Sequence, residues 1–215
     1  VIPAGRAGLI EMPFGAADQK SFWAHRDKVG AELAALPGSE RVDAFEEAIW
    51  ALQKQFDAIR TEDMNNKAWH WMCLCPVHSY PGQRLYELVL HDWDIRNDTD
   101  QELHPDALGM SVDILDFRLP FFFNNKPDPA LSGTFRFETE RPARAWAMQC
   151  EGGKAAPMSP DESKYDARIY SSASDIVLLT TGRADYAEKK QAGKLRIEGD
   201  EGKADALMRA LCKPF

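Results

Sequence analysis

The sequence predicts a helical N-terminal part followed by a small α+β part, and three observations carry that prediction. Up to residue 123 the apolar residues recur at helical spacing, and the segments are separated by Pro-Gly and polar breaks. Asn124-Asn125-Lys126-Pro127-Asp128-Pro129 then reads as the start of a linker. Beyond it the apolar period falls to two in residues 134–140 and 144–149, the pattern of half-buried antiparallel strands. The division expected is 1–123, a linker at 124–132, and 133–215.

Residues 1–17, rich in Gly, Ala and Pro, carry no period and read as an extended lead-in. Asp18 can cap a first helix marked by Phe22, Val29, Leu33 and Leu36, which Pro37-Gly38 stops. A second helix runs from Ser39 to about Arg60, with Val42, Phe45, Ile49, Leu52, Phe56 and Ile59 as its buried stripe. The aromatic stretch 65–82 is read as a long loop, a kind that is often functional. A central helix follows Pro81-Gly82 and ends near Asn97-Asp98; another starts at Pro105-Asp106 and breaks at Pro120. In the second part, strands are expected at 134–140, 144–149, 165–170 and 194–198. Ser172 caps a helix that ends at Gly182-Arg183, and Asp200 opens a terminal helix.

A net charge of -8 argues against a nucleic-acid surface. No apolar run approaches the ~20 residues that a membrane span needs. The N-terminus lacks the apolar core of a signal peptide, and Cys73, Cys75, Cys150 and Cys212 do not suggest a disulfide framework, so a cytoplasmic protein is expected. The composition, 44% hydrophobic and 28% charged, is that of a soluble globular chain.

The central helix carries the candidate chemistry. Glu87 and His91 stand four residues apart, one turn of helix, with Arg84 and Asp94 a turn to either side. A carboxylate and an imidazole so spaced supply half of a divalent-metal site. They equally make an intrahelical ion-pair ladder, Glu87 with Arg84 and His91 with Asp94. His70, Cys73, Cys75 and His78 invite a zinc reading too, but Cys-x-Cys is too tight for the usual two separated ligand pairs, which favours loop packing. His25 lies in the first helix and takes no role.

The run Pro81-Gly82-Gln83-Arg84-Leu85-Tyr86-Glu87-Leu88-Val89-Leu90-His91-Asp92-Trp93-Asp94-Ile95-Arg96, followed by Ser172-Ala173-Ser174-Asp175-Ile176-Val177-Leu178-Leu179 and Gly182-Arg183, resembles the mycothiol-dependent maleylpyruvate isomerase family. The resemblance implies a DinB-like helical bundle at 1–123, without its first helix, joined to a C-terminal domain like sterol carrier protein 2 (SCP2). It implies a divalent metal, usually zinc, on Glu87 and His91, with a third ligand His expected upstream of Val1. It implies mycothiol or another low-molecular-weight thiol as cosubstrate, a small electrophilic substrate, and an arginine of the second domain, matched to Arg183, that assists it.

The expected function is therefore a metal-dependent, thiol-using cis-trans isomerase or S-transferase. The metal would hold a thiolate that attacks an activated double bond. Arg183 or Arg84 would hold a substrate carboxylate. For Arg84 a salt bridge that orients Glu87 is equally expected. The alternative is a non-enzymatic, SCP2-like lipid or small-molecule binding protein with a vestigial metal site.

Overall fold

The computed structural model describes residue 16 and residues 18–72, 74–96, 101–162 and 164–212. By its contacts the chain divides between Pro81 and Gly82, upstream of the linker expected from composition.

In the first unit, helices α1 (Gln19–Ala34) and α2 (Gly38–Asp57) are joined by a short turn. Asp18 caps α1 as its sequence requires: its carboxylate accepts from Ser21 N at 2.7 Å, and Ser21 Oγ accepts from Asp18 N at 3.1 Å. The buried stripe expected on α2 is not realised, because neither helix has a buried residue. Val42, Phe45 and Trp50 are exposed, Trp50 at 66%, while Ile49, Leu52, Phe56 and Ile59 are half-buried. Periodicity shows that a helix has an apolar face, and a partner layer is a separate requirement.

The stretch expected as a loop is also more ordered than its sequence suggests. Strands β1 (Lys67–Trp69) and β2 (Leu74–Pro76) pair antiparallel and bury Ala68 and Cys75, and the Tyr80 hydroxyl donates to Trp69 O. The lead-in, Cys73, and the expected end of the central helix at Asn97-Asp98 lie outside the described residues, apart from Ala16.

The second unit contains most of α3 (Tyr80–Arg96), then α4 (Pro105–Asp113) and α5 (Leu115–Asn125). The break between α4 and α5 falls at Ile114, six residues before the expected one, and Pro120 lies inside α5. At the middle of α5, Pro120 removes the backbone bond to the carbonyl four residues back.

A five-stranded sheet follows, in the order β5-β4-β3-β6-β7. Its strands are β3 (Gly133–Glu140), β4 (Ala143–Glu151), β5 (Lys154–Met158), β6 (Ala167–Ser171) and β7 (Leu195–Gly199). All neighbours are antiparallel except β3 and β6, which run parallel, so the sheet is mostly antiparallel. Alternation cannot reveal strand direction, since both directions share the period of two. Strand β5, with Pro157 in it, is an edge strand that gave no alternating signal.

Helices α6 (Ala173–Thr180), α7 (Tyr186–Gln191) and α8 (Glu201–Leu211) complete the unit. Helix α6 is buried at every position, while α8 buries Ala204, Leu207, Met208, Ala210 and Leu211 on one side, the 3–4 spacing of a helix lying on a sheet. One core runs through the unit, from Tyr86, Val89 and Leu90 of α3 through Leu119 and Phe123 of α5 to Phe135, Phe137 and Met148 of the sheet. Of the residues expected as a linker, Leu131 joins this core, while 124–127 are exposed. The Asn124 side chain donates to Ala155 O at 2.9 Å and accepts from Ala155 N at 2.7 Å, which ties α5 to edge strand β5. The architecture is thus a helical N-terminal region followed by a C-terminal α+β domain.

Candidate functional site

Helix α3 buries Gln83, Tyr86, Val89, Leu90 and Trp93, with Glu87, His91 and Asp94 along one margin of that face. Glu87 does not pair with Arg84. Its Oε1 instead accepts from Arg118 Nη2 of α5 at 3.3 Å, and the same Nη2 lies 3.4 Å from Gln83 Oε1. The Arg118 side chain is 3% exposed and that of Glu87 is 40% exposed. Arg118 also lies over the Tyr86 ring, its Cζ 4.1 Å from the ring centroid, a cation–π contact inside the core. Gln83, Tyr86 and Glu87 face Arg118 together because positions three and four apart share a helix face.

A turn further on, His91 Nδ1 lies 3.2 Å from Asp94 Oδ2, the ion-pair partner that its sequence spacing allowed. Asp94 is shared with Arg183, whose Nε donates to Oδ1 and whose Nη2 donates to Oδ2, both at 2.7 Å. This is a bidentate pair. Arg183 reaches it because Gly182, with φ +68°, ends α6 in the left-handed region while Arg183 N returns to Leu178 O. The Arg183 hydrogen bonds hold the Asp94 carboxyl below the usual carboxylate range, and the same bonds hold the Arg183 guanidinium above its ordinary value.

Two expected site residues, His91 and Arg183, thus meet at one carboxylate 89 residues from Arg183 in the chain. Arg84 stands apart from both pairs. Its Nε is buried and has no hydrogen-bond partner among the described residues. The sequence analysis missed Arg118, because a single arginine between Phe117 and Leu119 in an apolar helix carries no spacing signal.

Glu87 and His91 each already have a charged neighbour. Glu87 already faces a guanidinium that a metal would repel, and His91 faces the carboxylate clamped by Arg183. Among the described residues, no group of three or more His, Cys, Asp or Glu is placed to hold a metal. In the first unit, His70 Nδ1 accepts from Met72 N at 3.3 Å, His78 Nδ1 lies 3.1 Å from Met64 O, and Cys75 is buried. His25 is exposed on α1.

The α+β part contains a cavity of about 680 Å³ that is open to solvent, lined among others by Ala184, Tyr186 and Ala187 near α7 and by Asp205, Arg209 and Cys212 near α8. Tyr186 Oη donates to Asp205 Oδ1 at 2.5 Å, and Lys190 Nζ donates to the same oxygen at 2.6 Å. Burial opposes ionisation of Asp205, but these two hydrogen bonds outweigh it and hold its carboxyl below the usual range. Burial pushes the Cys212 thiol up to about 12, with Asp185 adding to the effect, so the lining thiol stays protonated.

Residues 129–212 match the profile of the SCP-2 sterol transfer family, so this part of the chain is an SCP2-type domain. Solved structures similar to the chain include Sterol Carrier Protein 2 Like 2 from Aedes aegypti, at 18% identity and a TM-score of 0.39, covering 47% of this chain and 97% of that one. The UbiJ-SCP2 ubiquinone synthesis protein matches at 14% identity and a TM-score of 0.37, covering 46% of this chain and 96% of that one. The stereoselective inverting sec-alkylsulfatase Pisa1 from a Pseudomonas species matches at 15% identity and a TM-score of 0.38, covering 44% of this chain. The match spans 16% of that sulfatase's length. No curated protein sequence matches the chain. Among the described residues, no helix is long and apolar enough to cross a membrane.

Proposed function

We propose that this chain binds a small amphiphilic molecule in its SCP2-type domain. The observation that carries the reading is the cavity of about 680 Å³ between polar and apolar lining residues, in the part of the chain matched to a sterol transfer family. That volume is in the range of small-molecule sites, and the lining offers both an apolar surface and charged groups to orient a polar end. Titration of the purified chain with a fluorescent fatty acid is expected to show saturable binding. Ala187→Trp, which fills the cavity from α7, should weaken it by about tenfold or more, since it removes contact area worth at least ~1.4 kcal/mol. No saturable binding, or binding indifferent to Ala187→Trp, rejects the reading.

A second reading is the thiol-using isomerase or S-transferase that the resemblance implies, with zinc and a mycothiol-like thiol. It is supported by the meeting of Arg183 and His91 at Asp94, which puts the expected substrate-assisting arginine beside an expected ligand. It requires metal donors beyond those described, and no step is assigned to a metal. Elemental analysis of the same purified protein tests it. Near-stoichiometric zinc that is lost in both Glu87→Ala and His91→Ala would support the enzyme, and protein without metal after growth with added zinc would reject it.

A further inference from the structure

The buried face of α3 is short of hydrogen-bond acceptors. A guanidinium carries five N–H donors, and burying it without acceptors is costly. Arg118 is 2% exposed, yet among the described residues its hydrogen bonds to Glu87, at 3.3 Å, and to Gln83, at 3.4 Å, are both long and leave from one nitrogen. Its Nε is buried with no partner among the described residues. The Tyr86 hydroxyl, on a residue 1% exposed, makes no well-formed hydrogen bond among the described residues, and the Arg118 guanidinium is the donor beside it. Burial pushes that hydroxyl up to about 12, although the charge of Arg118 pulls the other way, so it stays a donor. A guanidinium with spare N–H donors thus lies over the ring whose hydroxyl has a proton to give, and the carboxylate that Arg118 meets is the half-exposed Glu87.

We propose that Arg118 and Tyr86 form a binding site for a small carboxylate, in which the ligand takes the place that the Glu87 carboxylate occupies. A planar anion of single charge matches the site: it accepts from two guanidinium nitrogens and from the Tyr86 hydroxyl, and it leaves no excess negative charge once Glu87 has swung into solvent. The site shares no residue with the α7–α8 cavity and stands independently of binding there.

Sodium acetate is the probe, compared with sodium chloride at equal ionic strength and neutral pH, with the full chain followed by calorimetric titration and thermal unfolding. Acetate is expected to bind one to one and to raise the unfolding temperature above that in chloride. Glu87→Gln removes the internal competitor's charge and should tighten acetate binding about tenfold, the scale of one hydrogen bond to a charged group. Tyr86→Phe deletes a hydroxyl that makes no well-formed hydrogen bond among the described residues, so it should fold normally and yet bind acetate several-fold more weakly. Arg118→Met should abolish binding; if that variant fails to fold, the other two decide. The proposal is overturned if acetate acts no differently from chloride on both the wild-type chain and Glu87→Gln, the result expected if internal water satisfies these donors. It is equally overturned if binding survives unchanged in Tyr86→Phe or in a folded Arg118→Met.

Discussion

Phe137→Ala is expected to destabilise the second unit by about 4 kcal/mol, the largest effect of any single substitution considered. Phe137 is 1% exposed on β3, directly across from Trp146 of β4 in the strand register. The two rings stack with centroids 5.6 Å apart and planes 4° from parallel. Removing the ring forfeits its transfer free energy, opens a cavity in a sheet that cannot collapse around it, and deletes an aromatic pair contributing about 1 kcal/mol. Urea unfolding followed by Trp fluorescence measures the loss. Trp50→Ala on α2 is the contrast: its ring is 66% exposed, and the substitution should cost less than about 0.5 kcal/mol although it removes a larger side chain. A cost below about 1 kcal/mol for Phe137→Ala would mean that the β3–β4 pair does not form this core.

Gly199→Ala should cost about 3 kcal/mol, from two sources that add. Gly199 ends β7 with φ +94°, a conformation that a Cβ disfavours. A Cβ there would also strike the carbonyl oxygen of Asp166, a backbone atom with no freedom to retreat. That oxygen accepts from Asp200 N at 2.7 Å. The Asp166 carboxylate accepts from Thr134 N at 2.8 Å and from Lys203 Nζ at 2.5 Å. The chain crossing at Gly199 therefore locks together the start of β3, the approach to β6 and the first turn of α8. Gly152→Ala separates the two contributions: it also has positive φ, +57°, but nothing lies within 4 Å of the added carbon, so it should cost only about 1 kcal/mol. Thermal unfolding of the two variants side by side reads the difference. Equal costs would show that the close approach at Asp166 is not real.

The candidate site was legible only in part. Spacing offered Asp94 as a partner for His91, as the alternative to a metal, because positions three apart on a helix are neighbours whatever surrounds them. Spacing also offered Arg84 as the partner of Glu87, and there it failed. A buried guanidinium from α5 competes for the same carboxylate, and no local rule weighs a residue 31 positions away against one three positions away. The match of Arg183 to a site on the central helix came from resemblance, and the structure puts the guanidinium on Asp94. The metal expected on Glu87 and His91 is a matter for elemental analysis, because a helix spacing does not say which further donors reach those two residues.

By itself the sequence determined the elements: Asp18, Ser172 and Asp200 each cap the helix they were expected to start, and the change of apolar period near residue 130 marks the passage from helices to sheet. These signals are local, written in the reach of one side chain to the backbone three residues on and in which face alternate residues present. Only the tertiary structure decided that β6 runs parallel to β3, that α3 and α5 join the core of the sheet while α2 keeps Trp50 in solvent, and that Arg118 rather than Arg84 holds Glu87. Those outcomes depend on which apolar and charged surfaces exclude water from one another across tens of residues, and a periodic pattern records that a face wants a partner without recording which one it will find.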